Sequence, residues 1–203
     1  MVRFDMSEFS SSSSVNLFSD RIASVIEENP LSLVFFDELE KGNRTIHHLL
    51  LQVLAEGKLT RGNGRVASFR DSIIIATSNA GSADIIANPS INKKSLVDKI
   101  IGEGTFAPEF LNRFSGIVLF KPLGQKEVRQ VTELMLNEFK ERLFEDKKIS
   151  LNITDALIDK VASDGFDPEF GARPIKRAIE EIVENKIADY IVAGNTEGEI
   201  TII

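Results

Sequence analysis

Leu33-Val34-Phe35-Phe36-Asp37-Glu38 is a run of four apolar residues ending in two adjacent acids. So short and unbroken a run predicts a buried strand of a parallel sheet. At the carboxyl end of such a strand, side chains stand in the crevice where α/β proteins hold ligands. Two acids there suit a definite chemistry: one carboxylate helps to hold a hydrated divalent cation, and its neighbour polarises a water. A strand that simply runs into a solvated acidic turn is the plainer alternative. These six residues alone leave both readings open.

Working outward, Met1–Met6 alternates and predicts a strand, and Arg21–Glu28 predicts a short helix stopped by Pro30. Downstream, Ile46, Leu49, Leu50, Val53 and Leu54 share one helical face, with Gly57 as terminator. The glycine-rich turn Arg61-Gly62-Asn63-Gly64 precedes a β-branched run at Ile73-Ile74-Ile75, and Gly116–Phe120 is the last strand expected in this half. Strands separated by helices predict a parallel α/β sheet. From Pro122 the pattern turns helical. Val128, Val131, Met135 and Phe139 mark a long amphipathic helix. Thr154 caps a second that ends at Gly165, and Pro174 opens a third running through Ile175, Ile179, Ile182, Val183 and Ile187. Short strand-like pieces, Ile149–Ile153 and Glu199–Ile203, flank this part. The expected division is an α/β part over 1–121 and a mainly helical part with short strands over 122–203. Ser10–Ser14, the one low-complexity stretch, reads as a flexible loop or as a joint where something longer has been replaced.

Composition narrows the function classes. With 42% hydrophobic and 27% charged residues in 203, the chain can bury a core. No run approaches the ~18–20 apolar residues of a membrane span, and no secretory signal is read at Met1. The absence of cysteine excludes disulfides and thiolate metal sites. It is compatible with a cytoplasmic setting. His47 and His48 cannot form a metal site alone. A net charge of −7 disfavours a broad nucleic-acid surface.

The order of motifs then carries more than any one of them. Asp37-Glu38-Leu39-Glu40-Lys41 is followed by Leu49-Leu50-Leu51-Gln52-Val53-Leu54, by Gly57-Lys58-Leu59-Thr60, and by Ile73–Thr77 running into Ser78-Asn79-Ala80-Gly81-Ser82. Asp5-Met6-Ser7-Glu8-Phe9 precedes them. Phe106-Ala107-Pro108-Glu109-Phe110-Leu111-Asn112-Arg113 and Gly165–Arg177, with Gly171-Ala172-Arg173-Pro174 inside it, follow. This series closely resembles the second AAA+ module of Clp unfoldases and disaggregases over nearly the whole chain.

The resemblance implies a Walker B pair, with Asp37 on ATP-bound Mg²⁺ through water and Glu38 activating the hydrolytic water. It implies Asn79 as sensor 1, Arg113 as the arginine finger presented to a neighbouring subunit, and Arg173 as sensor 2 on the phosphates of its own module. A planar, permanently charged guanidinium suits the spread charge of phosphoryl transfer. Out of that frame the plainer readings hold: a strand-end turn for Asn79, a pair with Glu109 for Arg113. Lys176 and Arg177 read as a solvated basic face and stay outside the site. Implied partners are other AAA+ subunits in a hexameric ring, protein substrates and a Clp-type protease, with neither nucleic acid nor membrane among them.

Three features depart from the resembled pattern. No G-x-x-x-x-G-K-(S/T) occurs, so the phosphate-cradling loop is missing, and hydrolysis by the chain alone is not expected. The expected fold class is therefore α/β with an incomplete AAA+ parallel sheet, lacking strand 1, followed by a helical lid. Without strand 1, the strands at Ile73–Thr77 and Gly116–Phe120 lose their shared neighbour. They could close up directly, another chain could fill the slot, or the fragment could be marginal. Finally, Ser14-Val15-Asn16-Leu17-Phe18 passes almost directly into the Arg21–Glu28 helix, with no aromatic pore loop between. Two functions follow: part of an ATP-dependent unfoldase module, or a non-catalytic module that docks on an unfoldase ring.

Overall fold

A computed structural model describes residues 1–62, 64–167 and 171–202. The first strands are β1 (Val2–Asp5) and β2 (Leu33–Asp37), with helix α1 (Val15–Glu28) between them. Helix α2 (Arg44–Glu56), the hairpin of β3 (Lys58–Thr60) and β4 (Val66–Ser68), and strand β5 (Ile73–Ala76) follow. Short helices α3 (Ser82–Ala87), α4 (Lys93–Gly102) and α5 (Pro108–Leu111) complete this half. The remainder is α6 (Gln125–Lys147), β6 (Ile149–Asn152), α7 (Asp155–Asp164), α8 (Ile175–Ile179), α9 (Asn185–Val192) and β7 (Gly198–Thr201). The chain forms two compact units, Met1–Phe120 and Lys121–Ile203. Together they give a mixed α/β fold with a small parallel sheet and a mostly helical carboxyl-terminal part.

In the first unit β2 is the middle strand of a parallel sheet ordered β1-β2-β5. Register sets Phe4 against Phe36 and Asp5 against Asp37 on one side, and Phe35 against Ile75 on the other. Because side chains alternate, the even-numbered residues Phe4, Val34 and Phe36 share one face and are buried. Helix α1 covers that face with Phe18, Ile22 and Ile26. Phe18 meets Phe4 and Phe9 edge-on at 5.7 and 5.3 Å between ring centroids and tilts against Phe36 at 6.0 Å. The opposite face is barely covered: Ile73 and Ile75 are 62% and 44% exposed. Parallel sheets are ordinarily packed on both faces, so this half-dressed sheet is unusual.

Several expectations are corrected. Gly116–Phe120 is not a strand; Val118 and Phe120 are exposed, and β5 pairs only with β2 among the described residues. A strand at the sheet's edge needs a neighbour to satisfy its backbone groups, and none lies between β5 and this segment. The two do not close up. The serine run is not a loose loop. Ser12–Ser14 forms a 3₁₀ turn, with the Ser14 N–H and hydroxyl both donating to the Ser11 carbonyl, and it leads straight into α1, which begins six residues earlier than the pattern predicts. Helices α3 to α5 lack the long periodicity that would announce them.

Gly57 ends α2 in the left-handed conformation, φ +66°, where a Cβ would also stand 2.9 Å from Arg70 Cγ. The hairpin after it is held to α1 by Arg61, whose guanidinium donates to the Asp20 carbonyl at 2.6 Å and to Glu27 at 3.2 Å. Asn63 of the glycine-rich turn lies outside the described residues.

In the second unit α6 packs on α7 and α8 around Leu136, Leu151, Val161, Ile175 and Val183. Arg129 forks onto Asp155 and Asp159 of α7. Thr154 caps α7 as its sequence predicts, accepting from the Leu157 N–H at 3.2 Å. The third helix is interrupted: Glu180–Glu184 takes one π-helical stretch between α8 and α9. Strands β6 and β7 pair in parallel. Pro168, Glu169 and Phe170 of the Gly165–Arg177 motif, and Ile203 of the last strand, lie outside the described residues.

Candidate functional site

The carboxyl ends of β2 and β5 lie side by side, and their polar residues are bonded to one another. The Thr77 hydroxyl, just past β5, donates to Asp37 Oδ1 at 2.5 Å. Arg3 of β1 forms an ion pair with the other carboxylate oxygen. The bond from Thr77 first, and the Arg3 guanidinium after it, hold the Asp37 carboxyl below its ordinary 3.8 against the opposing effect of burial.

Glu38 takes φ 53° and ψ 52°, a left-handed backbone rare for a residue with a Cβ. That conformation turns the chain out of the strand into a 3₁₀ turn over Leu39–Lys41. The turn is anchored from below, since the Leu39 N–H donates to the Thr77 carbonyl at 2.9 Å and the Glu38 N–H to the Thr77 hydroxyl at 3.3 Å. The Glu38 carboxylate accepts from Asn79 Nδ2 at 3.2 Å and pairs with Lys41 at 2.7 Å. Glu40 accepts the Asn79 N–H at 3.2 Å. Gly81, φ +76°, then starts α3; a Cβ there would meet Leu96 Cδ1 at 2.6 Å. Strand end, acidic turn and asparagine thus form one bonded cluster, which a merely solvated acidic turn would not build.

Arg113 follows α5 and is exposed. Among the described residues its guanidinium makes no ion pair, and the plain alternative of a pair with Glu109 is not formed. In the second unit Arg173 stands in the turn before α8, likewise exposed. The structure brings together Asp37, Glu38 and Asn79; Arg113 lies in the same unit as these three, outside the bonded cluster.

Residues 123–203 match the family described as the C-terminal, D2-small domain, of ClpB protein, and residues 1–117 match the AAA domain (Cdc48 subfamily). The chain belongs to the Clp-type AAA+ family. It is 37% identical over 216 residues to the ATP-dependent Clp protease ATP-binding subunit ClpE of Streptococcus pneumoniae, covering 98% of this chain and 29% of that protein. Against the chaperone protein ClpB of Pseudomonas putida the identity is 36% over 209 residues, covering 96% of this chain and 24% of the relative. Against the negative regulator of genetic competence ClpC/MecB of Bacillus subtilis it is 34% over 218 residues, covering 96% and 27%. The chain spans less than a third of the length of these Clp relatives.

The hydrogen-bond and ion-pair partners of Asp37 and Glu38 were the part that the sequence concealed. Arg3 shares a sheet face with Asp37 only once the β1–β2 register is known. Thr77 and Lys41 lie inside quoted motifs, yet nothing in their identity says which carboxylate each would meet. No helix of the described residues is long and apolar enough to cross a membrane.

The donor set can be tested against ATP and magnesium. Among the described residues no three metal-ligating side chains cluster, and both oxygens of Asp37 already have protein partners. One carboxylate fits a contact to a hydrated cation through water, and Glu38 with Asn79 fits the orientation of a water. The residues do not fit a phosphate chain, which needs the G-x-x-x-x-G-K-(S/T) loop that these 203 residues lack.

Proposed function

We propose that this chain carries the acid side of the ATP site of a Clp-type AAA+ module, in a protein that couples ATP hydrolysis to the remodelling of protein substrates in the cytoplasm. The observation behind it is the bonded cluster of Asp37, Glu38, Thr77 and Asn79 at two adjacent strand ends. Thr77 and Arg3 keep Asp37 ionised. Asn79 and Lys41 fix the Glu38 carboxylate, so that it can orient a water. Arg113, exposed and without an ion pair among the described residues, can meet a negative group on a neighbouring subunit of a hexameric ring. Arg173 keeps the sensor 2 role that its motif implies. ATP, magnesium and a protease partner belong to the intact module; the chain by itself does not hydrolyse ATP, because its phosphate cradle is absent.

One observation favours a second reading. The sheet face carrying Ile73 and Ile75 is open, so the chain could serve as a non-catalytic piece docking on an unfoldase ring. ATP turnover of the purified chain, alone and mixed with a full-length ClpB, tests both. Turnover by the chain alone at the rate of a complete module would overturn the inactivity. If Arg113→Ala removes an effect of the chain on the ring's turnover, the arginine acts in trans; if Arg113→Ala changes nothing, the finger role falls.

A further inference from the structure

His47 lies on α2, with its ring half-buried in a pile of aromatic side chains. It stacks on Phe110 at 5.4 Å between centroids, with 24° between planes, and tilts against Phe106 at 5.4 Å. Phe106 and Phe110 stack on each other at 5.8 Å, and Phe110 meets Phe114 edge-on at 5.4 Å. This pile is the footing of Arg113, whose backbone N–H donates to the Phe110 carbonyl at 3.2 Å.

The other edge of the imidazole faces the acidic turn. Nε2 stands 2.9 Å from the Leu39 carbonyl oxygen. A carbonyl only accepts, so the neutral ring carries its proton on Nε2. Leu39 directly follows Glu38, and its own N–H is the one bonded to the Thr77 carbonyl. Phenylalanine would fill the pile without needing a partner, whereas a buried polar edge is costly unless bonded. Histidine is the residue that can both stack on Phe110 and grip the turn.

We propose that His47 is a positioning residue tying the turn that carries Glu38 to the segment that carries Arg113, so that a shift in one is transmitted to the other. The proposal rests on the roles given above to Glu38 and Arg113. In a ring it joins the acid serving one nucleotide to the arginine serving the next, through a single side chain.

The ring's titration supplies one handle. Burial pushes His47 below its ordinary 6.5; the Leu39 carbonyl opposes this, His48 and Arg44 of α2 add to it, and Glu40 of the turn opposes it. From the Phe106–Phe114 segment the Phe106 and Phe110 rings pack against it. A base whose folded value is depressed stabilises the fold fully above its ordinary value and loses that contribution as pH falls through the folded one. The fold therefore loses this contribution on acidification below 6.5, while the Nε2 proton that bonds the Leu39 carbonyl is kept in both forms of the ring.

The experiment reads backbone amide resonances of the full chain by NMR. In the parent, Glu38→Gln moves the amides of Phe110–Phe114; in a His47→Phe background, which keeps the stack and loses the bond, that response is lost. The same amides follow a titration at acidic pH that His47→Phe abolishes. His47→Gln, which keeps a donor, restores part of the Glu38→Gln response and stands in should His47→Phe not fold. An undiminished response in both backgrounds would overturn the tie. The roles are judged separately: Arg113→Ala without effect on a mixed ring's turnover removes the finger reading, while the amide response still decides for or against His47.

Discussion

The two faces of the β1-β2-β5 sheet are built from the same strands and have opposite fates. On the even face Phe4, Val34 and Phe36 are at most 1% exposed, closed over by α1. On the odd face Arg3 and Thr77 both bond Asp37, while Ile73 and Ile75 stand in the open behind them. The first face supplies the burial that folds this unit. The second carries the bonded polar cluster, and its Ile73 and Ile75 remain exposed among the described residues. A sheet can thus hold a functional cluster in place from one side only, provided that the other side packs well enough to fix the register on which the cluster depends.

The sharpest way to break that contrast is from the buried face. Phe36→Ala removes a ring packed against Phe4 and Phe18 and should cost about 3–5 kcal/mol, read as a lowered urea midpoint with little change in slope. A cost below about 1 kcal/mol would mean that the even face is not the core. Thr77→Ala acts on the other face and should cost about 1 kcal/mol, the net worth of a hydrogen bond. It also lets the Asp37 carboxyl rise toward its ordinary 3.8, which a carboxyl-detected titration follows. The sign is fixed by linkage. A depressed carboxyl stabilises above its unfolded value and loses this as pH falls, so the gap between the parent and Thr77→Ala should narrow below 3.8. A gap independent of pH would show that Thr77 does not act through Asp37.

Much of this was legible in the residues. The run Leu33–Phe36 predicts β2, Thr154 predicts its cap, and the ordered motifs name Asp37, Glu38 and Asn79 before any strand is paired. What escaped was whatever depends on a neighbour. Gly116–Phe120 has the composition of a strand and fails to become one, since a strand is a relation to a partner and not a property of five residues. Arg3 reads as one polar residue of an alternating segment until the register puts it on Asp37. His47 reads as half of a histidine pair with too few ligands for a metal; its meaning lies in Phe110, 63 positions away by their numbers. The π-helical stretch at Glu180–Glu184 leaves the apolar spacing of Ile179, Val183 and Ile187 unchanged, and so gives no sign of itself.

The smallest expected effect is the most informative about the open face. Ile75→Thr keeps a β-branched side chain on β5 and changes only what it shows to solvent, so strand propensity is preserved. At a position 44% exposed there is little apolar contact to lose, and the change should lie within about ±0.5 kcal/mol, as for other exposed sites. Denaturation of the full chain measures it. Were the odd face covered by a partner or by further chain, the same substitution would place a hydroxyl in a packed core, at a cost of about 1–3 kcal/mol. The difference between these two measurements is the cover itself, expressed as free energy. If Ile75→Thr already costs more than about 1 kcal/mol in the 203-residue chain, then something in solution occupies that face. A second copy is then the first candidate, and the loss of stability should grow smaller on dilution.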